Sequence, residues 1–561
     1  MRKTKAFLSL MLTITLLFTA SSFSFPASTS ASTPMQTYVS AMQPGWNLGN
    51  TLEAIGTDFE TSWGNPPVTQ EFIQEIKAQG FKSIRIPVSW NQRMSAGPDY
   101  TIDPAFLNRV EEVVNMALAE GLYVMLNIHD VWQWMRPSMA TQHDAVMAQF
   151  EAAWTQIADR FKNHSNLLMF ESANEPDYLN VDEATQHAFL DEVNTTFFNI
   201  VRASGGNNAV RPLVLPSLMT NAGQAYLNSL ATTIENLNDP NIIATVHYYG
   251  LWHFSVNIAG YTTFNAEAKN DIDTMVNNVY NTFVSKGIPV VIGEYGILGH
   301  DKNRETVERG EMLKYFEYFL HATQSKGIAT MWWDNGSYFN RTTYEWRDQE
   351  LYNIIMHSLT GRTSTTSFDQ IFIKSGEAVS DASITMNLNG NSLVSLKNGD
   401  QTLVSGTDYT VNGNVLTLKA SYLSGFTAGG FGQKAVLSAH FSSGPDWKIL
   451  VRYYNTPVVS KASGTSSGGL AIPTAFNGDV LATMEAVYTN GTNAGPHNWT
   501  SYKEYAYAFL PDYANNTVMI TPNFFSETTG GTINLTFHFW SGAIVKYQLT
   551  TKGNRITGTP K

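Results

Sequence analysis

Two glutamates stand where a carboxylate can do chemistry. In residues 167–177, LLMFESANEPD, an apolar run breaks into Asn174-Glu175 and stops at Pro176. Proline continues neither a ladder nor a helix interior, so the run reads as a short buried strand with Asn174 and Glu175 at its C-terminal end. Residues 289–296, PVVIGEYG, repeat the pattern with Glu294. In a parallel barrel the strand ends form the active face, and a carboxylate there is placed for catalysis rather than packing. Two carboxyl groups, one protonated and one ionised, are what retaining cleavage of a glycosidic bond requires. The first protonates the leaving oxygen and the second attacks the anomeric carbon.

The elements that must position this pair recur along the chain. Short apolar runs at 45–48, 83–88, 123–128, 167–172, 213–215, 243–247, 289–293 and 329–333 make eight candidate strands. Amphipathic segments lie between them, such as 70–79 with Phe72, Ile73 and Ile76 on one face, and 104–120 with Phe106, Val110, Val113 and Val114. Gly80, Gly121 and Gly287 follow helical patterns and read as C-terminal caps. Eight alternations of strand and helix predict an α/β domain, a (β/α)8 TIM barrel, over 33–361. A closing helix is expected at 349–359 and a short Ser/Thr-rich joint at 360–367. From Phe368 onward the pattern changes to short alternating runs separated by Gly/Asn turns, which predicts two all-β sandwich modules, 368–456 and 457–561. The Gly/Ser-rich stretch 460–469 reads as a flexible linker or a surface loop.

Composition narrows the function classes. With 35 Lys and Arg against 47 Asp and Glu, the net charge of -12 argues against nucleic acid as a partner. Residues 1–32 carry Arg2, Lys3 and Lys5, then an apolar run, then small residues, the pattern of a secretory signal peptide. No later stretch is long and apolar enough to span a membrane, so a secreted, extracellular, monomeric protein is expected. The chain has no cysteine, which excludes disulfides, thiolate catalysis and cysteine metal sites. Neither a dense oxygen-rich loop nor a paired-His motif is present, and a two-carboxylate mechanism needs no metal or other cofactor.

The strand ends also carry GWNLGNT, IRIPVSW, NIHD, NEP, HYY, GEYG and WWDNG, in this order. Over the whole barrel these resemble glycoside hydrolase family 5, and the GWNLGNTLEA opening resembles its endo-β-1,4-glucanases that also accept xyloglucan or mixed-linkage glucan. The resemblance implies Glu175 as acid/base and Glu294 as nucleophile, with Asn47, Arg85, His129, Asn174, His247, Tyr249 and Trp333 completing the site. Physical roles accompany these assignments. Arg85 would lower the pKa of Glu294, and Tyr249 would donate to it. Burial and the charge of Glu294 would keep Glu175 protonated. Asn174 would meet the sugar 2-OH, His129 and His247 would orient carboxylates or hydroxyls, and Trp333 would lie beneath a sugar ring. Trp332 should point the opposite way and pack outside the barrel. Asp130 departs from the pattern, since related enzymes usually carry a second His there.

Among the other aromatics, Trp132, Trp134 and Trp252 follow strand ends and are expected to line the cleft, whereas Trp46, Trp63 and Trp90 fit packing and subsite walls equally. The segment with SGTDYTVNGNVLTLKASYL resembles the immunoglobulin-like X2 module, and the last segment, with HNWTSYKEYAYAF, resembles carbohydrate-binding module family 46. Trp499, in the polar stretch PHNWTS, is the candidate exposed platform, while Trp540 alternates with Phe537 and Phe539 and reads as partly core. The alternative for the last module is a spacer and stabilising cap. The expected partner is a β-glucan: cellulose, mixed-linkage glucan or xyloglucan. The competing readings are a xyloglucan- or mannan-specific hydrolase and a non-catalytic glycan-binding protein.

Overall fold

The computed structural model describes residues 32–561, so the segment read as a signal peptide lies, apart from its last residue, outside the described residues. Eight parallel strands close into a barrel: β1 (Gly45–Asn47), β2 (Ser83–Ile86), β3 (Tyr123–Asn127), β4 (Leu168–Glu171), β5 (Leu213–Pro216), β6 (Ile242–Tyr248), β7 (Val290–Tyr295) and β8 (Ala329–Trp332). Each coincides with an expected run to within two residues at either end.

Strand alternation sorts the side chains into two apolar clusters. Met125, Met169, Val214, Ile243, Val291 and Met331 fill the barrel interior, and Met35, Val39 and Met42, from or just after α1 (Pro34–Ala41), join the same cluster. Each such buried side chain contributes about 1.5–3 kcal/mol relative to exposure. The opposite faces of the strands meet the helices. On α2 (Gln70–Ala78), capped by the Thr69 hydroxyl, Phe72, Ile73 and Ile76 are buried, and on α3 (Pro104–Ala119) Phe106, Val110, Val113 and Val114 are buried. The ring continues with α4 (Val131–Ser138), α5 (His143–Phe161), α6 (Glu183–Ala203), α7 (Gln224–Leu237), the one-turn α8 (Trp252–Ser255), α9 (Ala266–Thr282), α10 (Arg309–Ser325) and α11 (Gln349–Ser358). Gly80, Gly121 and Gly287 take the left-handed conformation that a helix C-terminus favours. Among the described residues no helix is long and apolar enough to cross a membrane.

Residues 365–454 form a five-stranded and a four-stranded sheet, and residues 458–560 a four-stranded and a five-stranded one. The first of these modules shares one continuous apolar cluster with the barrel, whereas the last has a core of its own around Ile472, Met484, Phe509, Phe537 and Tyr547. The joint is shorter than its sequence suggests, because Thr365–Thr366 is already a strand, paired with residues 386 and 387.

Two expectations are corrected in the last module. Residues 460–469 are no flexible linker, since Ala462–Thr465 is a strand antiparallel to Arg555–Pro560. A Cβ on Gly464 would strike the Gly469 carbonyl, so glycine here reflects a close backbone approach. The strand expected at 505–510 begins at Phe509, because Tyr505 to Ala508 form a turn closed by the Ala508 N–H to the Glu504 carbonyl (3.0 Å).

Candidate active site

At the C-terminal end of the barrel a buried arginine gathers the strand ends. Arg85, fully buried on β2, donates from Nη1 to Glu294 Oε1 (2.6 Å) and Asn47 Oδ1 (3.1 Å), from Nε to Glu171 Oε2 (2.9 Å), and from Nη2 to Asn174 Oδ1 (2.7 Å). Burial opposes its charge, but the Glu171 and Glu294 carboxylates outweigh it and hold the guanidinium protonated. Asn47 Nδ2 in turn donates to the carbonyls of Gly293 (2.9 Å) and Met331 (3.1 Å). Asn47 therefore supports the network and has no free surface for a sugar.

Glu294 reaches the site through an irregularity in β7. The β6–β7 register steps from Val246 opposite Ile292 to His247 opposite Glu294, leaving Gly293 unpaired in a bulge. A Cβ at Gly293 would lie 3.0 Å from His247 Nε2 and 3.1 Å from Thr245 Oγ1, so a side chain here would press His247 and Thr245 away by a few tenths of an ångström. Burial raises the pKa of Glu294, but the charges of His247 and Arg85 and the hydrogen bond from Tyr249 prevail and hold it well below the usual carboxylate range. The Tyr249 hydroxyl donates to Glu294 Oε2 at 2.6 Å, and burial and the Glu294 charge push that phenol far above its ordinary value.

Glu175 sits differently. Its backbone is left-handed (φ 42°), and 48% of its side chain is exposed. The expectation that this carboxyl is buried is thus not met. Its neighbour is His247, whose Nδ1 lies 2.9 Å from Glu175 Oε1 and 3.6 Å from Glu294 Oε2. Burial lowers the pKa of His247, but the two carboxylates overcome this and raise it. One ligand atom each from Glu175, His247 and Glu294 lie within 4.8 Å of one another, which makes this trio the candidate cation site among the described residues. Its donors are already committed to Arg85, Tyr249 and each other.

The remaining expected residues divide. Asn174 is buried with Oδ1 held by Arg85, which leaves its Nδ2 without a partner among the described residues and free to donate. The His129 ring stacks on Trp333 with centroids 6.1 Å apart and planes at 7°. Burial, then the Arg85 charge, push His129 down to about 3, so it acts as a neutral ring. Trp333 keeps a partly open face, while Trp332 is fully buried and stacks on Trp346, as strand alternation requires. Trp132 is 52% exposed at the start of α4, but Trp134, two residues on, is only 8% exposed. It belongs to the core rather than the cleft, because a helix of period 3.6 carries positions 132 and 134 to opposite sides. Trp46 and Trp90 are fully buried packing residues and Trp63 is exposed. Asp130 is buried and accepts from the Asn91 N–H (2.8 Å), with burial raising its pKa to about 6, so it shapes the loop after β3.

Trp499 is 54% exposed and lies against the barrel loop after β6. Its ring is 6.4 Å from Trp252 and 5.6 Å from His253. The nearly buried Glu504 accepts from Lys302 of the barrel (2.6 Å) and lies 3.0 Å from His497 beside Trp499. Trp540 lies in the other seam, stacked on Phe368 of the middle module at 5.3 Å.

Sequence reasoning missed Glu171 and Asn127. Glu171 accepts from both Arg85 and Asn127 Nδ2 (2.8 Å) and supplies the second negative charge beside the guanidinium. Strand alternation held the signal, since Glu171 is two residues from the inward-facing Met169.

Known proteins resemble this chain over its barrel and both modules. The cellulase (glycosyl hydrolase family 5) profile matches residues 49–339, and the profiles of carbohydrate binding domain X2 and the CBM46 carbohydrate binding domain match 365–451 and 455–559. Endoglucanase B of Paenibacillus lautus is 54% identical over 566 residues, covering 100% of this chain and 99% of that protein. The full-length tri-modular endo-β-1,4-glucanase B of Bacillus halodurans aligns with a TM-score of 0.92 at 48% identity, covering 94% of this chain and 100% of the other. A tri-modular endo-β-1,4-glucanase of Bacillus licheniformis, complexed with cellotetraose, aligns with a TM-score of 0.79 at 32% identity, covering 91% and 98%.

Proposed function

The chain belongs to the cellulase family, glycosyl hydrolase family 5, and from that premise we propose that it cleaves β-1,4-glucan by double displacement with Glu294 as nucleophile and Glu175 as acid/base. It is an endo-β-1,4-glucanase, and retention of configuration is general to its family. The observation that carries the residue roles is the close approach of the two carboxyls, with an oxygen of each within 4.8 Å of the other and of His247. An inverting enzyme separates its carboxyls by roughly 6.5–9.5 Å to admit a water, and a retaining one by about 5–5.5 Å.

Each carboxyl has an environment suited to one role. Glu294, ionised and fixed by Arg85 and Tyr249, is aimed for attack on the anomeric carbon. Glu175, exposed and 2.9 Å from His247 Nδ1, gives its proton to the departing oxygen as the glycosyl-enzyme forms, and the carboxylate left behind then takes a proton from the incoming water as base. Asn174 Nδ2 is free for the 2-OH, and Trp333 offers its face to the sugar before the cleaved bond. Glu175→Ala should retain glycosylation by substrates with good leaving groups, and azide should restore turnover with a β-glycosyl azide as product. The same product from a Glu294 variant would reverse the roles, and an inverted first product by NMR would remove the mechanism.

The substrate range extends to mixed-linkage glucan and xyloglucan, supported by the seam at Trp499, which continues an aromatic surface from Trp252 on the barrel rim. Binding there acts on polymers and not on a small aryl cellobioside. Trp499→Ala should therefore reduce kcat/KM on polysaccharide while leaving the aryl cellobioside unchanged. Equal loss on both would mean damage to the barrel, and no loss on either would make the last module a spacer. The protein is secreted and acts as a monomer in this reading, supported by the signal-like N-terminal segment and the net charge of -12.

A further inference from the structure

A second pair of carboxyls meets across the joint between the barrel and the middle module. Asp369, just before the strand Gln370–Lys374, is buried with its side chain lying on the first turn of α10, where a Cβ on Gly310 would strike Asp369 Cγ. Its neighbour there is Glu308, the residue that caps α10, and the two carboxyls are in hydrogen-bond contact. Two ionised carboxylates cannot make that contact, so one of them holds a proton. Glu308 is the acceptor, because its Oε1 already takes the Gln370 amide (2.9 Å) and its Oε2 the Glu311 N–H (3.0 Å). Asp369 is therefore the acid, with Oδ1 left without a partner among the described residues.

The cations around this pair are committed elsewhere. On α10, Arg309 bonds Asp348 (3.1 Å) and Glu350 (2.8 Å), and Lys314 bonds Glu311 (2.7 Å) and the Ser367 carbonyl (3.0 Å). Arg452, on the strand Trp447–Tyr454 of the middle module, donates to Gln370 Oε1 (2.6 Å) and faces Asp479 and Tyr513 of the last module. Burial, then the charge of Glu308 and, more weakly, that of Glu311, raise the pKa of Asp369 well above its ordinary value against the opposing charge of Arg309. With no basic side chain to spare, a proton takes the place of a counter-ion.

The pair also stands where all three modules meet. Glu308, Arg309, Gln370 and Arg452 line a cavity of about 840 Å³ together with Asp479 and Trp540 of the last module. A polar cavity of that size takes up water, which gives the shared proton an exit.

We propose that this proton is a latch: in acid it holds the middle module on the barrel at Asp369 and Glu308, and its loss as the pH rises parts the two carboxyls and loosens the seat of the last module. An acid whose pKa is higher docked than free supports the docked state fully below its free value, about 3.9, and loses that support as pH rises through its docked value. The apolar cluster shared by the barrel and the middle module remains, so the joint loosens without coming apart.

Two variants of the full-length protein test the latch. Asp369→Asn keeps a donor that cannot ionise, and the amide of Glu308→Gln can donate to an ionised Asp369. Amide hydrogen exchange at residues 309–312 and 370–374, corrected for the intrinsic pH dependence of exchange, should rise about tenfold in the native protein from about pH 5 to about pH 9 and stay level in both variants. Over that range the native ratio of kcat/KM on mixed-linkage glucan to that on an aryl cellobioside should fall about threefold, a ratio in which the titration of Glu175 and Glu294 cancels. Level exchange in the native protein, or an equal rise in the variants, would overturn the latch. Opening of the native joint by a chelator at constant pH would place a cation where the proton is proposed and would overturn it too. The second readout rests on Trp499 meeting polymer. Rising exchange with an unchanged ratio would overturn the link to the last module if Trp499→Ala lowers polymer turnover, and would overturn the Trp499 reading, with the latch intact, if it does not.

Discussion

Two polar networks hold this molecule's working parts, and they are built on opposite terms. Around Arg85 every partner is buried, and the guanidinium bonds Glu294, Glu171, Asn47 and Asn174. Around Glu504, at the seam between the barrel and the last module, the partners are half open: the Lys302 side chain is 48% exposed and His497 also meets solvent. A charge enclosed with fixed partners is electrostatically expensive to leave unpaired, whereas water can replace a partner at an exposed seam. The first arrangement suits a nucleophile that must not move. The second suits a surface that meets polymers of varied decoration.

The most severe way to break the buried network is at Glu294, the proposed nucleophile. Glu294→Gln is expected to lower aryl cellobioside turnover by on the order of 10⁴-fold or more, since a neutral amide cannot attack the anomeric carbon as a carboxylate does. Measurable burst kinetics in that variant would contradict the assignment.

Removing a partner that touches no substrate should chiefly cost stability. Glu171→Ala leaves Arg85 buried with one carboxylate fewer, and a loss of about 3–5 kcal/mol in urea unfolding is expected. Replacing Arg85 by Met should move the acid limb of the kcat/KM profile upward, because the guanidinium is one of the charges that hold Glu294 low.

The pH dependence of stability sharpens the contrast. A carboxylate whose folded pKa lies below its unfolded one stabilises the fold above the unfolded value and loses that contribution as pH falls through the folded value. Glu294 is such a group. The Tm of the native protein should therefore fall more steeply than that of Glu294→Gln as the pH drops below about 4.3. His247, raised, contributes in the opposite sense: its stabilisation is full below about 6.5 and fades as pH rises through its folded value.

The smallest effect is expected at the open seam. Glu504→Gln keeps the side-chain volume and leaves Lys302 open to water, so it should cost less in unfolding than Glu171→Ala and reduce polysaccharide kcat/KM a few-fold, with an aryl cellobioside unaffected. A large loss of stability there would show that the two networks are alike after all.

Much of the barrel could be read from the chain because its strands are short apolar runs that must be buried on both faces, and alternation fixed Trp332 outside and Trp333 inside. Glu175 and Glu294 were legible because each stands at the C-terminal end of such a run, Glu175 just before the Pro176 break, whereas Glu171 was missed inside its run. The reading failed where spacing alone could not resolve a face. Trp134 looked equivalent to Trp132 until the helix turned it inward, and residues 460–469 looked flexible because steric crowding also selects glycine.

What the sequence determined by itself was therefore the set of elements and the residues at their ends, because periodicity and the proline and glycine breaks are local properties. Only the tertiary structure decided how the two glutamates differ. Glu294 is inward through a bulge at Gly293 and pinned by Arg85, 209 residues away in the chain. Glu175 is exposed on a left-handed turn, beside a cavity walled by Met219 and α9. Burial, charge pairing and cavity shape are sums over residues distant in sequence, and only closing the barrel brings those residues together.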